Sequence, residues 1–228
     1  MKQKGKLIVI DGSDGSGKAT QTKLLVKELK KKGVKVRTMD FPRYENNFFG
    51  EFVGECLTGE YGDFLTLDPH ITSVLYAADR FESSQKLKKW LDEGCVVVLD
   101  RYVSANQIHQ GGKIFDSGKR KKFLQWLDKM EYGIFKLPRP DKVVYLDVPI
   151  VVSIELLKKA QQKKQYQKDG KKDLVEQSMD YLENARRSAL WLSRENRNWT
   201  RIECVKNEKL RLIEDIHNEI ISIINFKK

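Results

Sequence analysis

Seven residues near the start of the chain, Gly12-Ser13-Asp14-Gly15-Ser16-Gly17-Lys18, constrain its fold more than any other feature. They fit the spacing GxxxxGK of a phosphate-binding loop. The loop follows the apolar run Leu7–Ile10, a buried strand by composition, and opens a helical stretch that reaches about Lys32. In that setting the glycines let backbone N–H groups wrap a phosphate, the helix N-terminus adds its positive end, and Lys18 bridges the outer phosphates. The loop predicts binding of a nucleotide's phosphates by Gly12 to Thr20. One departure is plain: the Ser or Thr expected after the lysine, as a Mg²⁺ ligand, is Ala19, with Thr20 one position late. The metal shell must therefore lean on other groups.

Beyond the loop, short apolar strands alternate with helical stretches. Strands are expected at Val34–Thr38, Val96–Leu99, Lys142–Leu146 and Thr200–Val205, and helices at about 69–93, 150–164, 174–196 and 208–226. Asp68 and Pro69 provide an N-cap and a first helical residue, while Gly33 and Gly94 end helices. Such alternation predicts a doubly wound α/β domain of the P-loop NTPase type, a sheet of about five parallel strands flanked by helices. At 228 residues the chain suits a single domain, 1–228. The Lys- and Gln-rich stretch from about 160 to 173 reads as a mobile loop or lid. The longest clean apolar runs have four residues, which is too short for a membrane span or a secretory segment. Cys56, Cys95 and Cys204 are widely spaced, which argues against a disulfide framework and fits a cytoplasmic protein.

The net charge of +11 invites a nucleic-acid reading, so its location matters. Residues 1–37 hold ten Lys and one Arg against three acids, and residues 158–172 hold seven Lys against Asp169; the remainder is slightly acidic. Confined to two segments, one of them bearing the phosphate loop, this excess fits a local anionic ligand better than a nucleic-acid track. Lys27, Lys30 and Lys31 also fit a plain solvated helix face. Asp100 ends the Val96–Leu99 strand, where ligands of open α/β sheets gather, and is a natural partner for phosphate-bound Mg²⁺. Arg101 follows and can clamp a phosphate; a capping Asp beside a surface Arg is the alternative.

These residues resemble the thymidylate kinases, P-loop kinases that pass the ATP γ-phosphoryl group to dTMP. The resemblance runs in order through Phe41-Pro42-Arg43-Tyr44, Gly59-Glu60-Tyr61-Gly62, Ala78-Asp79-Arg80, Asp100-Arg101-Tyr102, Gln110-Gly111, Pro138-Arg139-Pro140-Asp141, Tyr145 to Pro149, and Lys172-Asp173 leading to Glu176 and Tyr181-Leu182. It implies that Asp14 bonds the acceptor's 3′-hydroxyl and helps hold the metal. Arg101, with Arg43 or Tyr44, would hold the acceptor phosphate. Tyr76 would stack on thymine, Arg80 would donate to its carbonyl, Asn106 would meet its Watson–Crick edge as both donor and acceptor, and Phe41 would line the pocket. From the residues alone, Tyr76 reads as core and Arg80 as a surface ion pair.

The family places a catalytic arginine in the phosphate loop or the lid. Here the loop has Gly15 and Ser16, and no arginine lies between Ile150 and Leu182. Lysines 163, 164, 168, 171 and 172 are the available cations, with Lys171 and Lys172 favoured because they adjoin Asp173–Glu176. Glu176 is expected near the metal or acceptor phosphate. His109 stands where an aromatic ring commonly packs on the sugar. The expected reaction is transfer from MgATP to the dTMP phosphate, in a homodimer through helices near 46–57 and 70–92. A deoxynucleoside kinase and a P-loop nucleotide-binding module without turnover are the alternatives; the first wants a carboxylate base where Arg43 stands.

Overall fold

In the computed structural model, residues 5–64, 66–164 and 179–224 are described, with the side chains of 160–164 set aside. Strand β1 is Lys6–Gly12, followed by helix α1, Lys18–Lys31, and strand β2, Val36–Asp40. Helices α2 (Phe48–Leu57), α3 (Pro69–Glu82) and α4 (Ser84–Asp92) lead to β3, Val96–Asp100. Next come α5 (Val103–Gly112), α6 (Ser117–Asp128), a π-helical turn (Lys129–Ile134) and β4, Lys142–Asp147. The chain continues through α7 (Ile150–Lys164), α8 (Met179–Glu195) and β5, Trp199–Glu203. The short strands β6 (Val205–Lys206) and β7 (Lys209–Leu210) precede α9, Ile213–Ile224.

The main sheet has the order β2-β3-β1-β4-β5, and every pair is parallel, as the alternation predicts. Apolar runs suit these strands because successive side chains enter opposite cores. Leu7 and Val9 of β1 join Leu87 and Leu91 of α4, Ile108 of α5 and Ala189 of α8 on one face. Ile8 and Ile10 join Leu25 and Leu29 of α1 and Ile216 and Ile220 of α9 on the other. Each fully buried Leu or Ile contributes about 1.5–3 kcal/mol relative to exposure. The connection leaving β1 runs to one side of the sheet and that leaving β3 to the other. A crevice opens at their carboxyl ends, where such sheets bind ligands.

The expected strand Thr200–Val205 is Trp199–Glu203, with Val205 in β6, and three other boundaries differ from expectation, each for a local reason. Val34 still closes α1, its N–H donating to Leu29 O at 3.0 Å, so β2 starts two residues later than expected. The helix expected over 69–93 breaks at Ser83, because Asn47 Nδ2 donates to the Asp79 carbonyl (2.8 Å) and to Ser83 Oγ (2.9 Å). The helix expected from 208 begins at Ile213, since Asn207 and Glu208, both at positive φ, turn β6 into β7. No helix among the described residues is long and apolar enough to cross a membrane.

Candidate active site

The phosphate loop keeps its shape through glycine. Gly15 (φ +80°) and Gly17 (φ +87°) lie in the left-handed region, and a Cβ on Gly15 would come within 2.4 Å of Ser153 O in α7. Ser16 N–H donates to Ser13 O at 3.1 Å, closing the turn. The buried hydroxyls of Ser13 and Ser16 have no partner among the described residues, and neither residue lines the cleft that the loop borders. The loop borders a cleft of about 760 Å³ that Asp14, Gly15, Gly17, Lys18, Ala19 and Thr20 all help to line.

Arg101 also lines this cleft. It is a non-glycine residue at φ +63°, a conformation costing about 1–2 kcal/mol. Its N–H donates to Ile10 O at 3.0 Å, which fixes the turn that leaves β3. One guanidinium nitrogen makes a short ion pair with Asp14 Oδ1, and another lies 3.2 Å from His109 Nε2. Lys18 Nζ donates to Ser13 O at 2.9 Å and to Asp14 Oδ1 at 3.2 Å. Burial alone would raise the Asp14 carboxyl, but Arg101 and Lys18 outweigh it and hold the group below the usual range. Burial pulls the Lys18 ammonium down, with Arg101 adding to the effect and Asp14, Asp100 and Asp11 opposing it. Burial and then Arg101 lower the His109 imidazole to about 3. The ring is therefore neutral, and because arginine only donates, Nε2 is the acceptor and Nδ1 carries the proton.

Asp11 and Glu131 are the two functional candidates that sequence reading missed. Asp11, wholly buried at the end of β1, accepts from Gly12 N (2.8 Å) and Ser104 Oγ (2.5 Å) and braces the first loop residue. Its only sequence signal was an acid directly before the loop. Glu131, in the π-helical turn, pairs with Arg80 through two 2.7 Å bonds and accepts from Asn106 Nδ2 at 2.9 Å. No motif announced it, although π-helical turns recur at functional sites.

Phe41, Tyr44, Tyr76, Arg80, Asn106 and His109 all line the same cleft as the phosphate loop. Arg80 is buried and paired with Glu131, a correction to its reading as a surface ion pair. Asn106 needs a second correction. Its two amide N–H groups go to Ser73 O (3.1 Å) and Glu131 Oε1, so its Oδ1 can only accept, where both donor and acceptor were expected. Arg43 is not among the residues lining the cleft; its backbone N–H is held by Asp79 Oδ2 at 3.1 Å, and its Nε is buried without a partner among the described residues. Stacked near His109, at 6.1 Å between ring centroids, Tyr181 of α8 adds a wall.

For a divalent cation, the donor set fits in part. No hydrogen bond or ion pair among the described residues ties up the Asp100 carboxylate, which lines the cleft and which burial raises against Lys18 and Arg101. Asp14 instead has two cationic partners on one oxygen. No group of three or more His, Cys, Asp or Glu among the described residues forms a protein-only cage, which suits a cation carried in by phosphates. Lys168, Lys171, Lys172 and Glu176 lie outside the described residues, as does most of the expected lid.

The chain is similar to known thymidylate kinases. A family model for thymidylate kinase matches residues 10–220. The thymidylate kinase of Mycobacterium tuberculosis is 32% identical over 142 residues, covering 62% of this chain and 65% of that one. The chain thus spans just under two thirds of that relative's length. A probable thymidylate kinase of Thermococcus gammatolerans is 32% identical over 226 residues, 96% of each chain. Among solved structures, a thymidylate kinase from Candida albicans matches with a TM-score of 0.71 at 22% identity, covering 97% of this chain and 91% of that one. This last likeness is one of fold.

Proposed function

The chain belongs to the thymidylate kinase family, and from that premise we propose that it transfers the γ-phosphoryl group of ATP to the phosphate of dTMP, giving dTDP for dTTP synthesis. The observation that carries this reading is the position of Arg101, held between Asp14 of the phosphate loop and His109, in one cleft with Lys18, Tyr76, Arg80 and Asn106. Donor and acceptor phosphates repel at short range, and a cation fixed between their sites offsets that repulsion.

The attacking atom is an acceptor phosphate oxygen, already anionic, so no general base is needed. It attacks the γ-phosphorus in line, and the bond to the ADP oxygen breaks as the new P–O bond forms. Lys18 follows the charge at the β- and γ-phosphates, and Arg101 and Tyr44 hold the acceptor phosphate. Arg43, whose backbone N–H is held by Asp79, supports the segment that carries Tyr44. Asp100 would hold the Mg²⁺ of MgATP, which would neutralise phosphate charge when bound; Glu176 is proposed as its companion. Lysines of the 160–173 lid, Lys171 and Lys172 foremost, add charge in place of the missing arginine. We also assign the protein to the cytoplasm, as a homodimer.

A coupled assay for ADP release tests the reading, run with dTMP, with thymidine and without acceptor. Release that depends on dTMP, and its loss by two orders of magnitude or more in Lys18→Ala at an unchanged melting temperature, is expected. Release with thymidine instead would mean a nucleoside acceptor, and none with either would mean binding without turnover.

A further inference from the structure

Among the described residues Glu131 makes no hydrogen bond or ion pair to the phosphate loop, yet it holds two polar residues of the acceptor wall, Arg80 and Asn106. It is fully buried, and both of its oxygens are occupied. Oε2 accepts from Arg80 Nε and Oε1 from Arg80 Nη2, so the guanidinium cannot rotate without losing a two-point pair. Oε1 also accepts from Asn106 Nδ2, and the Ser73 carbonyl takes the other N–H of that amide. A carboxylate and a carbonyl only accept, so Nδ2 must face them and Oδ1 is the atom left for a ligand. Arg80 keeps N–H capacity on Nη1, whose contact with Tyr102 O is long, at 3.4 Å. At Asn106 and Arg80 the wall therefore presents one acceptor and one donor, in a fixed order.

We infer that Glu131 is a positioning residue that sets this order and so selects a base with a ring N–H beside a carbonyl over one with a bare ring nitrogen beside an amino group. The inference rests on the acceptor assignment of the proposed function and names the residue behind its selectivity. An imide edge, as in thymine or uracil, places its N–H on Asn106 Oδ1 and its carbonyl on Arg80. A cytosine edge sets acceptor against acceptor and donor against donor, and in a buried wall neither mismatch is relieved by water. In Glu131→Gln the new amide brings a donor into this cluster. In place of Oε2 that donor faces Arg80 Nε, and in place of Oε1 it faces both Arg80 Nη2 and Asn106 Nδ2, so the guanidinium loses its two-point pair either way and turning the Asn106 amide over relieves only the conflict at Asn106. The wall then loses its fixed polarity.

The test measures kcat and KM for dTMP, dUMP and dCMP, KM for ATP, and melting curves, in the full chain, Glu131→Gln and Glu131→Asp. In Glu131→Gln the dTMP-to-dCMP ratio of kcat/KM should fall on the order of tenfold or more, chiefly through KM for dTMP, with KM for ATP within about twofold. Glu131→Asp keeps a carboxylate and should keep the ratio even where overall efficiency drops. A uniform loss across all acceptors would overturn the inference and leave Glu131 a structural ion pair. Should Glu131→Gln not fold, the unaltered protein decides. An analogue of dTMP with C–H in place of the ring N3–H should bind on the order of tenfold more weakly, and equal binding would overturn the inference. Failure of the unaltered protein to turn over any of these nucleotides would overturn the kinase reading itself, which separates the two failures.

Discussion

His109 is neutral because burial and the Arg101 guanidinium disfavour a second positive charge, and that has a consequence in acid. Its folded pKa of about 3 lies below the ordinary value of 6.5. Between those values the unfolded chain binds a proton that the native chain does not, so stability falls as pH drops from 6.5 toward 3. One proton limits the slope to about 1.4 kcal/mol per pH unit. Arg101, Lys18 and Lys113 act with burial, and Asp14 acts against it. His109→Phe removes the titrating group while keeping a ring. Urea midpoints at pH 7, 5.5 and 4.5 should show the variant gaining on the parent as pH falls; a gap independent of pH would mean that the imidazole is not held neutral. Single residues were unevenly legible in the sequence. Lys18, Asp100 and Arg101 could be placed because a loop motif and a strand end specify where their side chains go. Glu131 could not, because its partners Arg80 and Asn106 lie 51 and 25 residues away and meet it only through tertiary packing.

Elements were legible where one residue type dictates the backbone and illegible where a distant side chain does. Pro69 and Asp68 start α3 as read, with the Asp68 carboxylate accepting from His70 N at 2.8 Å. The end of that helix depends on Asn47, from a loop more than thirty residues earlier, and no local pattern contains it. Helices α5 and α6 and the π-helical turn occupy 103–134, where apolar spacing suggested no element; Gly112 allows α5 to approach Ala185 of α8 so closely that a Cβ would lie 2.8 Å from its Cα. The phosphate loop and α7 are coupled in the same way. In Gly15→Ala the left-handed φ costs about 1–2 kcal/mol, and the new methyl meets the Ser153 carbonyl, which belongs to helix backbone and cannot swing aside. The loop must therefore shift out of register with Lys18. KM for ATP is expected to rise about tenfold or more, KM for dTMP to change little, and the melting temperature to fall by several degrees. Steady-state kinetics with each substrate varied in turn check this, and equal effects on both would place the damage beyond the loop.

For the whole molecule, α3 serves two surfaces at once. Its inner side supplies Tyr76 and Arg80 to the cleft. Its outer side exposes Ile71, Val74 and Phe81, which follow helical spacing, with Phe48 of α2 exposed nearby. The two helices are tied together, since the Glu82 carboxylate accepts from Phe48 N and Phe49 N, each at 3.0 Å, where α2 would otherwise leave N–H groups unpaired. Large apolar side chains grouped on one exposed platform favour burial against another surface. An isologous contact of α2 and α3 with their own copies would provide it, placing each subunit's acceptor wall directly behind the interface. Phe81→Glu combined with Val74→Lys should then abolish association, because charges would be buried against apolar neighbours. In sedimentation equilibrium the unaltered protein should run at twice the 26.6 kDa chain mass and the double variant at the chain mass. Loosened from its copy, α3 should hold Tyr76 and Arg80 less firmly, so KM for dTMP should rise several-fold while KM for ATP, set by α1 and the loop ahead of it, stays near its starting value. A chain mass of 26.6 kDa for the unaltered protein at micromolar concentration would remove the dimer, and a KM for ATP that rises equally would remove the coupling.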